Sequence, residues 1–274
     1  MAGLKLRVLL HGATLDLTLT VSRIEELLPH EEVIPDYLEA LERAFRVSVY
    51  QRNPIIVDER SMVILDGTHR WAVMRKMGYK WIATCLVDYR NPSIRVGRWI
   101  RAFRSKSIVD VKPFLREFGG IEVKHPNEIR ERDLAIIWCG KAYKVHYEHI
   151  EEAYSLLKNL EGEVSKLLDS RPTYIPDIVS LNAGCRDELL LLPPTLSKEE
   201  VVRIALKGVL LPPKSTRHVI PARPLGINIP LKLLAKSRID VKSLEGILKQ
   251  RMPVMVKTPI ILERKYEEIV LYFM

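Results

Sequence analysis

The 274-residue chain contains no GxGxxG fingerprint, no Walker-A phosphate loop, no HExxH and no zinc-type Cys/His spacing. Any nucleotide bound here therefore needs a different cradle. The three cysteines, Cys85, Cys139 and Cys185, are odd in number and far apart. This excludes a disulfide framework and a paired metal or redox motif, and implies a reduced, cytoplasmic setting. No apolar run approaches the roughly 18 residues that span a bilayer, so no membrane association is expected. Lys5 and Arg7 stand among leucines near the start, but no small-residue cleavage site follows, and the segment does not read as a signal peptide. Glutamine occurs only at Gln51 and Gln250, while 28% of residues are charged, a pattern that fits a heat-adapted source.

The formal charge of +9 calls for an anionic partner: nucleic acid, a membrane surface or a small anion. The basic residues are spread along the chain, with one thicker stretch from Arg90 to Lys106. That stretch lacks the aromatic pattern of an RNA reader, and no helix-turn-helix accompanies it. The basic charge slightly favours nucleic acid, and the missing helix-turn-helix counts against it.

The length suits one large domain or two modest ones. Leu15, Leu17, Leu19 and Val21 alternate with polar residues and predict a strand. Asp36 to Arg46 predicts a helix entered at Pro35. Asn53 to Val57 and Met62 to Leu65 are short apolar runs of strand length. A helix then runs from Gly67 to Gly78, and Trp81 to Val87 is the next strand. The first hundred residues thus predict an α/β unit. Further on, Tyr147 to Leu160 predicts a helix, and Ser197 with Glu200 forms a capping box for another that ends at Gly208. Leu211 to His218 is led by prolines and reads as an ordered loop or edge, and Ile260 to Met274 as a closing strand.

Chemistry concentrates in three places. Asp66-Gly67-Thr68-His69-Arg70 stands at a strand-to-helix turn, where first-turn N–H groups lack helical partners. Asp66 is placed to cap that helix. His69 and Arg70 conflict with the positive end of the helix dipole unless an anion sits there. A phosphate cradle and a solvated capped helix both fit this spacing. Glu31 and Glu32, beside His30 in a polar turn, offer a carboxylate that could take a proton from a hydroxyl, or a plain acidic surface. Lys214, Ser215, Thr216, Arg217 and His218 suit a carboxylate or phosphate, or form a basic surface loop. Trp99, within a run of arginines, is either core or the wall of a pocket.

Leu27 to Glu31, Asn53 to Val57, Val63 to Arg70 and Gly78 together resemble the ParB/sulfiredoxin-like domain, over roughly Leu15 to Arg90. That domain binds nucleotide phosphates on an Asp-Gly-His-His-Arg turn, in which Thr68 here replaces the first histidine. Pro213 to His218 resembles the Pro-Lys-Thr-Thr-Arg-His motif of the archaeal free serine kinases, and Trp99 falls where that family has a substrate-pocket tryptophan. The resemblance implies an α/β (α+β) fold with a nucleotide-binding domain over residues 1–105 and a mixed α/β domain over residues 106–274 that completes the substrate site. It implies transfer of a phosphoryl group from ADP or ATP, with Mg2+, to free L-serine, giving the O-phospho-L-serine used in cysteine biosynthesis. Glu31 becomes the implied base and Asp66 a second catalytic residue. Gly67, Thr68, His69 and Arg70 become phosphate ligands. Trp99 and Lys214 to His218 become substrate ligands. No residue reads the phosphate count, so both donors stand, and nothing in the sequence sets the oligomeric state. Two rivals share the domain: a ParB-like nucleic-acid-binding protein or nuclease, and a sulfiredoxin-like reductase. The reductase needs a reactive cysteine beside the turn, whereas Cys85 falls on an expected buried strand.

Overall fold

A computed structural model describes residues 3–10, 12–104, 112–177, 188–251, 253–256, 259–262 and 265–274. Cys185 lies outside these residues. The chain forms two compact units. One comprises Met1–Arg95, Val202–Leu210 and His218–Met274; the other comprises Val96–Val201 and Leu211–Arg217. Compactness thus divides the chain differently from a single cut after residue 105. The C-terminal segment belongs with the first unit because Ile229–Pro230 pairs with Tyr50–Gln51, and helix Val241–Lys249 packs on the N-terminal strands.

In the first unit, β1 (Leu4–Leu10), β2 (Ala13–Arg23), α1 (Pro35–Val47), β3 (Tyr50–Gln51), β4 (Ile55–Asp58), β5 (Ile64–Asp66), α2 (Thr68–Lys76) and β6 (Trp81–Val87) follow one another. Five of the strands form one sheet in the order β1-β2-β6-β4-β5. β4 runs parallel to β6, while β1–β2, β2–β6 and β4–β5 are antiparallel. The alternation in β2 puts Leu15, Leu17 and Leu19 in the core, and all four residues of β4 are buried. The predicted strand–helix order holds, and β1 adds an edge strand. α1 and α2 pack together, and Trp71 on α2 donates its indole N–H to Ile24 O at 3.0 Å. The expected closing strand is three pieces: Ile260–Ile261 pairs with Lys265–Tyr266, and Ile269–Phe273 runs parallel to Ala222–Leu225.

The second unit is built on a six-stranded antiparallel sheet that includes Trp99–Arg104, Leu134–Trp138, Thr173–Pro176 and Glu188–Leu192. Helix Ile150–Leu168 starts three residues later than predicted and runs eight further. Its apolar stripe continues through Val164 and Leu168, and the helix packs on Trp99–Arg104. Ser197 and Glu200 form the expected capping box, with Glu200 N–H donating to Ser197 Oγ at 3.2 Å and Ser197 N–H to the Glu200 carboxylate at 2.8 Å. Among the described residues, no helix is long and apolar enough to cross a membrane.

Gln51, one of two glutamines, shows why a polar side chain is kept inside. Its amide donates to Asn53 O at 3.1 Å and Ala83 O at 3.0 Å, and accepts from Ala83 N–H at 2.8 Å. Gln51→Leu would strand these buried backbone groups, at about 1–3 kcal/mol for each one left unsatisfied. A urea titration of this variant should show a clear loss of stability; an unchanged midpoint would mean that the backbone finds other partners.

Candidate active site

The candidate phosphate turn begins where β5 ends. Gly67 is the N-cap of α2 and sits at φ 100°, ψ 24°, in the left-handed region. A Cβ there would lie 2.5 Å from Ile55 Cγ2 and 2.7 Å from Arg70 Nη2. Glycine therefore satisfies both the backbone conformation and the space. The capping residue is Gly67 and not Asp66 as expected, because the Asp66 side chain faces arginines instead. Asp66 Oδ2 accepts from Arg223 Nη1 at 2.5 Å and lies 3.6 Å from Arg70 Nη2.

Arg223 is 7% exposed. It also donates to His218 O at 3.2 Å. Glu268 Oε1 lies 2.5 Å from its Nε, an ion pair whose angle falls outside hydrogen-bond geometry. Burial acts to depress its pKa, but the charges of Asp66 and Glu268 more than offset this and hold it above the ordinary arginine value. A cavity of about 180 Å³ beside the turn is lined by Asn53, Asp66, Arg70, Arg223 and Tyr266, among others. Its lining holds two guanidinium groups and the Asp66 carboxylate, and Glu268 pairs with the Arg223 guanidinium. Arg70 Nε is buried and has no hydrogen-bond partner among the described residues, a donor that an anion would satisfy.

His69 follows Thr68 in the first turn of α2. Its Nε2 accepts the Ile34 N–H at 2.9 Å, which ties the start of α1 to the phosphate turn. The proton of the neutral ring then belongs on Nδ1. Thr68 opens α2 and is half-buried.

The Pro29–Glu31 corner is fixed beside the same strand. Leu28 N–H donates to Met62 O, and Ile64 N–H donates to Leu28 O, each at 3.0 Å. Glu31 follows, with its Oε1 3.5 Å from the Nε2 of buried His30. His30 meets His218 edge-on, ring centroids 5.5 Å apart, and His218 Nε2 bonds Tyr89 Oη at 2.7 Å. His218 feels the charges of Glu31, Asp66 and Arg223. The first unit thus brings together Glu31, Asp66, Gly67, Thr68, His69, Arg70 and His218. Burial, with His30 nearby, pushes the His218 pKa down to about 3. It is a neutral group at physiological pH and does not act as a cation. Cys85, on β6, is fully buried, and burial pushes its thiol up to about 12, which removes the reactive cysteine a reductase would need.

The second unit holds the remaining candidates. Trp99 lies at the start of its strand, with Lys214 Nζ 5.2 Å and Arg217 Cζ 5.8 Å from its ring centroid. Lys214 has φ 61°, a strained value for a lysine. The loop is held by Arg101, whose fully buried guanidinium donates to Trp99 O at 2.8 Å, Lys214 O at 3.1 Å and Pro213 O at 3.0 Å and pairs with Glu161 at 3.0 Å. Ser215 is buried and donates its hydroxyl to Pro212 O at 2.7 Å, so this side chain braces the loop. Thr216 is also buried.

Sequence reasoning passed over the parts played by Arg223, Tyr89 and Arg101. Two of them carried a readable sign. Arg101 in Trp99-Ile100-Arg101-Ala102-Phe103 and Arg223 in Pro221-Ala222-Arg223-Pro224-Leu225 are lone charges inside apolar strand runs. A charge in such a place is either an error of patterning or a paired, buried group.

Two outcomes follow from this geometry. Gly67→Ala must adopt a left-handed conformation against Ile55, and should cost at least about 1–3 kcal/mol in a denaturant titration. For His218, the folded pKa lies below the unfolded one. Stability is therefore complete above about pH 6.5 and falls as pH drops toward 3, because the unfolded chain takes the proton first. Thermal midpoints measured from about pH 7 to about pH 4 should fall less steeply for His218→Asn than for the native chain.

No protein-family model matches the chain. Among curated proteins, the ATP-dependent L-serine kinase of Staphylothermus marinus is 30% identical over 233 residues, covering 77% of this chain and 89% of the relative. The ADP-dependent L-serine kinase SerK of Thermococcus kodakarensis is 27% identical over 231 residues, covering 77% and 90%. Among solved structures, a glutamate-to-alanine variant of a free serine kinase in complex with ADP superposes with a TM-score of 0.64 at 23% identity, covering 79% of this chain and 93% of that one. This last likeness shows a shared fold. Given the first relationship, with nearly nine-tenths of the relative's length matched, the chain belongs to the archaeal L-serine kinase family.

Proposed function

We propose that the chain is a free L-serine kinase, transferring the terminal phosphoryl group of ADP or ATP to the serine hydroxyl to give O-phospho-L-serine. The observation that carries this reading is local to the first unit. An anion-ready turn, with an unsatisfied Arg70 donor, stands in the same cluster as the carboxylate of Glu31. The ParB-like region, residues 1–105, supplies this nucleotide site. Gly67 lets the backbone approach the phosphates, and first-turn N–H groups and Arg70 donate to them. Thr68 adds a hydroxyl, and His69 braces the turn through Ile34. Phosphoryl transfer asks the protein for alignment and charge stabilisation more than for covalent chemistry. Glu31 takes the proton as the serine oxygen attacks phosphorus, while the bond to the nucleotide's bridging oxygen breaks and the electron pair leaves with the shortened nucleotide. Asp66, fixed by Arg223, orients the reacting groups. Trp99, Lys214, Thr216, Arg217 and His218 serve the serine side, the last as a neutral hydrogen-bonding ring and Ser215 as the brace of the loop, so residues 106–274 complete the substrate site.

The two curated relatives differ in donor by name, one ATP-dependent and one ADP-dependent. Mg2+ fits the donor set in the way usual for nucleotide enzymes, through one or two carboxylates plus substrate phosphates. Asp66 and Glu31 are the oxygen donors in the cluster, and no group of three or more His, Cys, Asp or Glu suited to a metal occurs among the described residues. Bound with the nucleotide, the ion would neutralise charge on the phosphates. A cytoplasmic, heat-adapted enzyme is consistent with the composition, and the resemblance to the free serine kinases implies a product that feeds cysteine biosynthesis.

The direct test incubates the protein with L-serine, magnesium and either ADP or ATP and looks for phosphoserine. Glu31→Gln should lower turnover by about 10²- to 10⁴-fold with nucleotide affinity unchanged. Undiminished turnover would remove Glu31 from the role of base.

A further inference from the structure

Free serine is a zwitterion, and its two charged ends need opposite partners. Lys214 and Arg217, each close to the Trp99 ring, account for the carboxylate. Nothing assigned so far receives the α-ammonium group. A site made only of cations would bind 3-hydroxypropanoate, which lacks the amino group, as well as serine.

The second unit supplies the missing anion. Pro176 pairs with Trp99 across the sheet, and Asp177 follows it. Asp177 Oδ2 accepts the Arg98 N–H at 3.0 Å, which fixes the carboxylate against the backbone just before Trp99. Asp177 Oδ1 lies 3.6 Å from Arg217 Nη1, within ion-pair range but beyond a hydrogen bond. The Arg98 guanidinium is turned to other acceptors, Pro193 O at 2.5 Å and Glu131 O at 3.2 Å. Asp177 is 24% exposed, so it is neither lost in the core nor fully solvated. Gly97 opens the space beside it: a Cβ at that position would lie 2.5 Å from Asp177 Oδ2. One carboxylate, two cations and an indole face thus belong to one small region, linked through Arg217.

We propose that Asp177 is the specificity-determining residue for the α-amino group, binding the serine ammonium with help from the Trp99 face. Lys214 and Arg217 bind the carboxylate. The ammonium would replace part of the Arg217 interaction with a shorter, charge-assisted bond, and a cation beside an indole is favourable in itself. This inference rests on the serine-kinase reading and adds to it the discrimination of amino acids from hydroxy acids.

Two inhibitors separate the contributions. L-Alanine carries both charged ends without the hydroxyl, and propanoate carries the carboxylate alone. With the native enzyme, L-alanine should compete with serine at least about tenfold more tightly than propanoate. In Asp177→Asn, the KM for serine and the inhibition constant of L-alanine should rise by about 10- to 100-fold, with that of propanoate unchanged. Equal loss for both inhibitors would make Asp177 a brace of the pocket and overturn the assignment. Should the variant fail to fold, the native comparison still decides: propanoate competing as well as L-alanine would show that the ammonium has no partner. Absence of phosphoserine from the native enzyme with either nucleotide would instead be a failure of the kinase reading.

Discussion

The turn between β5 and α2 depends on a buried guanidinium. Arg223 comes from a strand far along the chain, yet it holds Asp66, the residue that opens the turn, and is itself held by Glu268. Burying a charge is costly unless it is paired, and removing one partner of a buried pair leaves the other uncompensated. The carboxylates of Asp66 and Glu268 meet that cost for Arg223. The arrangement also determines what Arg70 can do. Because Asp66 is bound more closely by Arg223, Arg70 is left at 3.6 Å with a buried, unsatisfied Nε. Its neighbour therefore neutralises Arg70 only in part.

The second unit uses the same device. Arg101 sits inside an apolar strand with none of its side chain exposed, and spends its donors on the carbonyls of Trp99, Pro213 and Lys214. These carbonyls belong to segments that carry the substrate-side candidates. The strained φ of Lys214 is tolerated because Arg101 and Ser215 fix the loop on either side of it. In each unit a buried arginine orders backbone, while the more exposed cations, Arg70 in one and Lys214 and Arg217 in the other, face potential ligands. The +9 charge is thus divided by role, and the roles follow from burial.

Histidine shows a similar division. His69 accepts a backbone N–H and braces α1 against the turn, and His218 is kept neutral by burial and bonded to Tyr89. Thr68, where the ParB-like pattern has its first histidine, opens α2 and is half-buried.

Local pattern determined much of this protein. Alternation in β2, Pro35 at the start of α1, Gly67 and Gly78 at the two ends of α2, and the Ser197–Glu200 cap are all readable because each depends on neighbours within a few residues. The motif residues were legible as chemistry for the same reason. Tertiary structure decided the rest. It made Asp66 an arginine partner and not a cap, turned Ser215 inward, and returned the C-terminal segment to the first unit. It also brought Arg223 to Asp66, 157 residues earlier in the chain, and placed Asp177 next to the backbone that precedes Trp99. No local periodicity encodes such pairings. They arise when segments far apart in sequence bury their apolar faces and leave polar groups that partners from elsewhere in the chain satisfy.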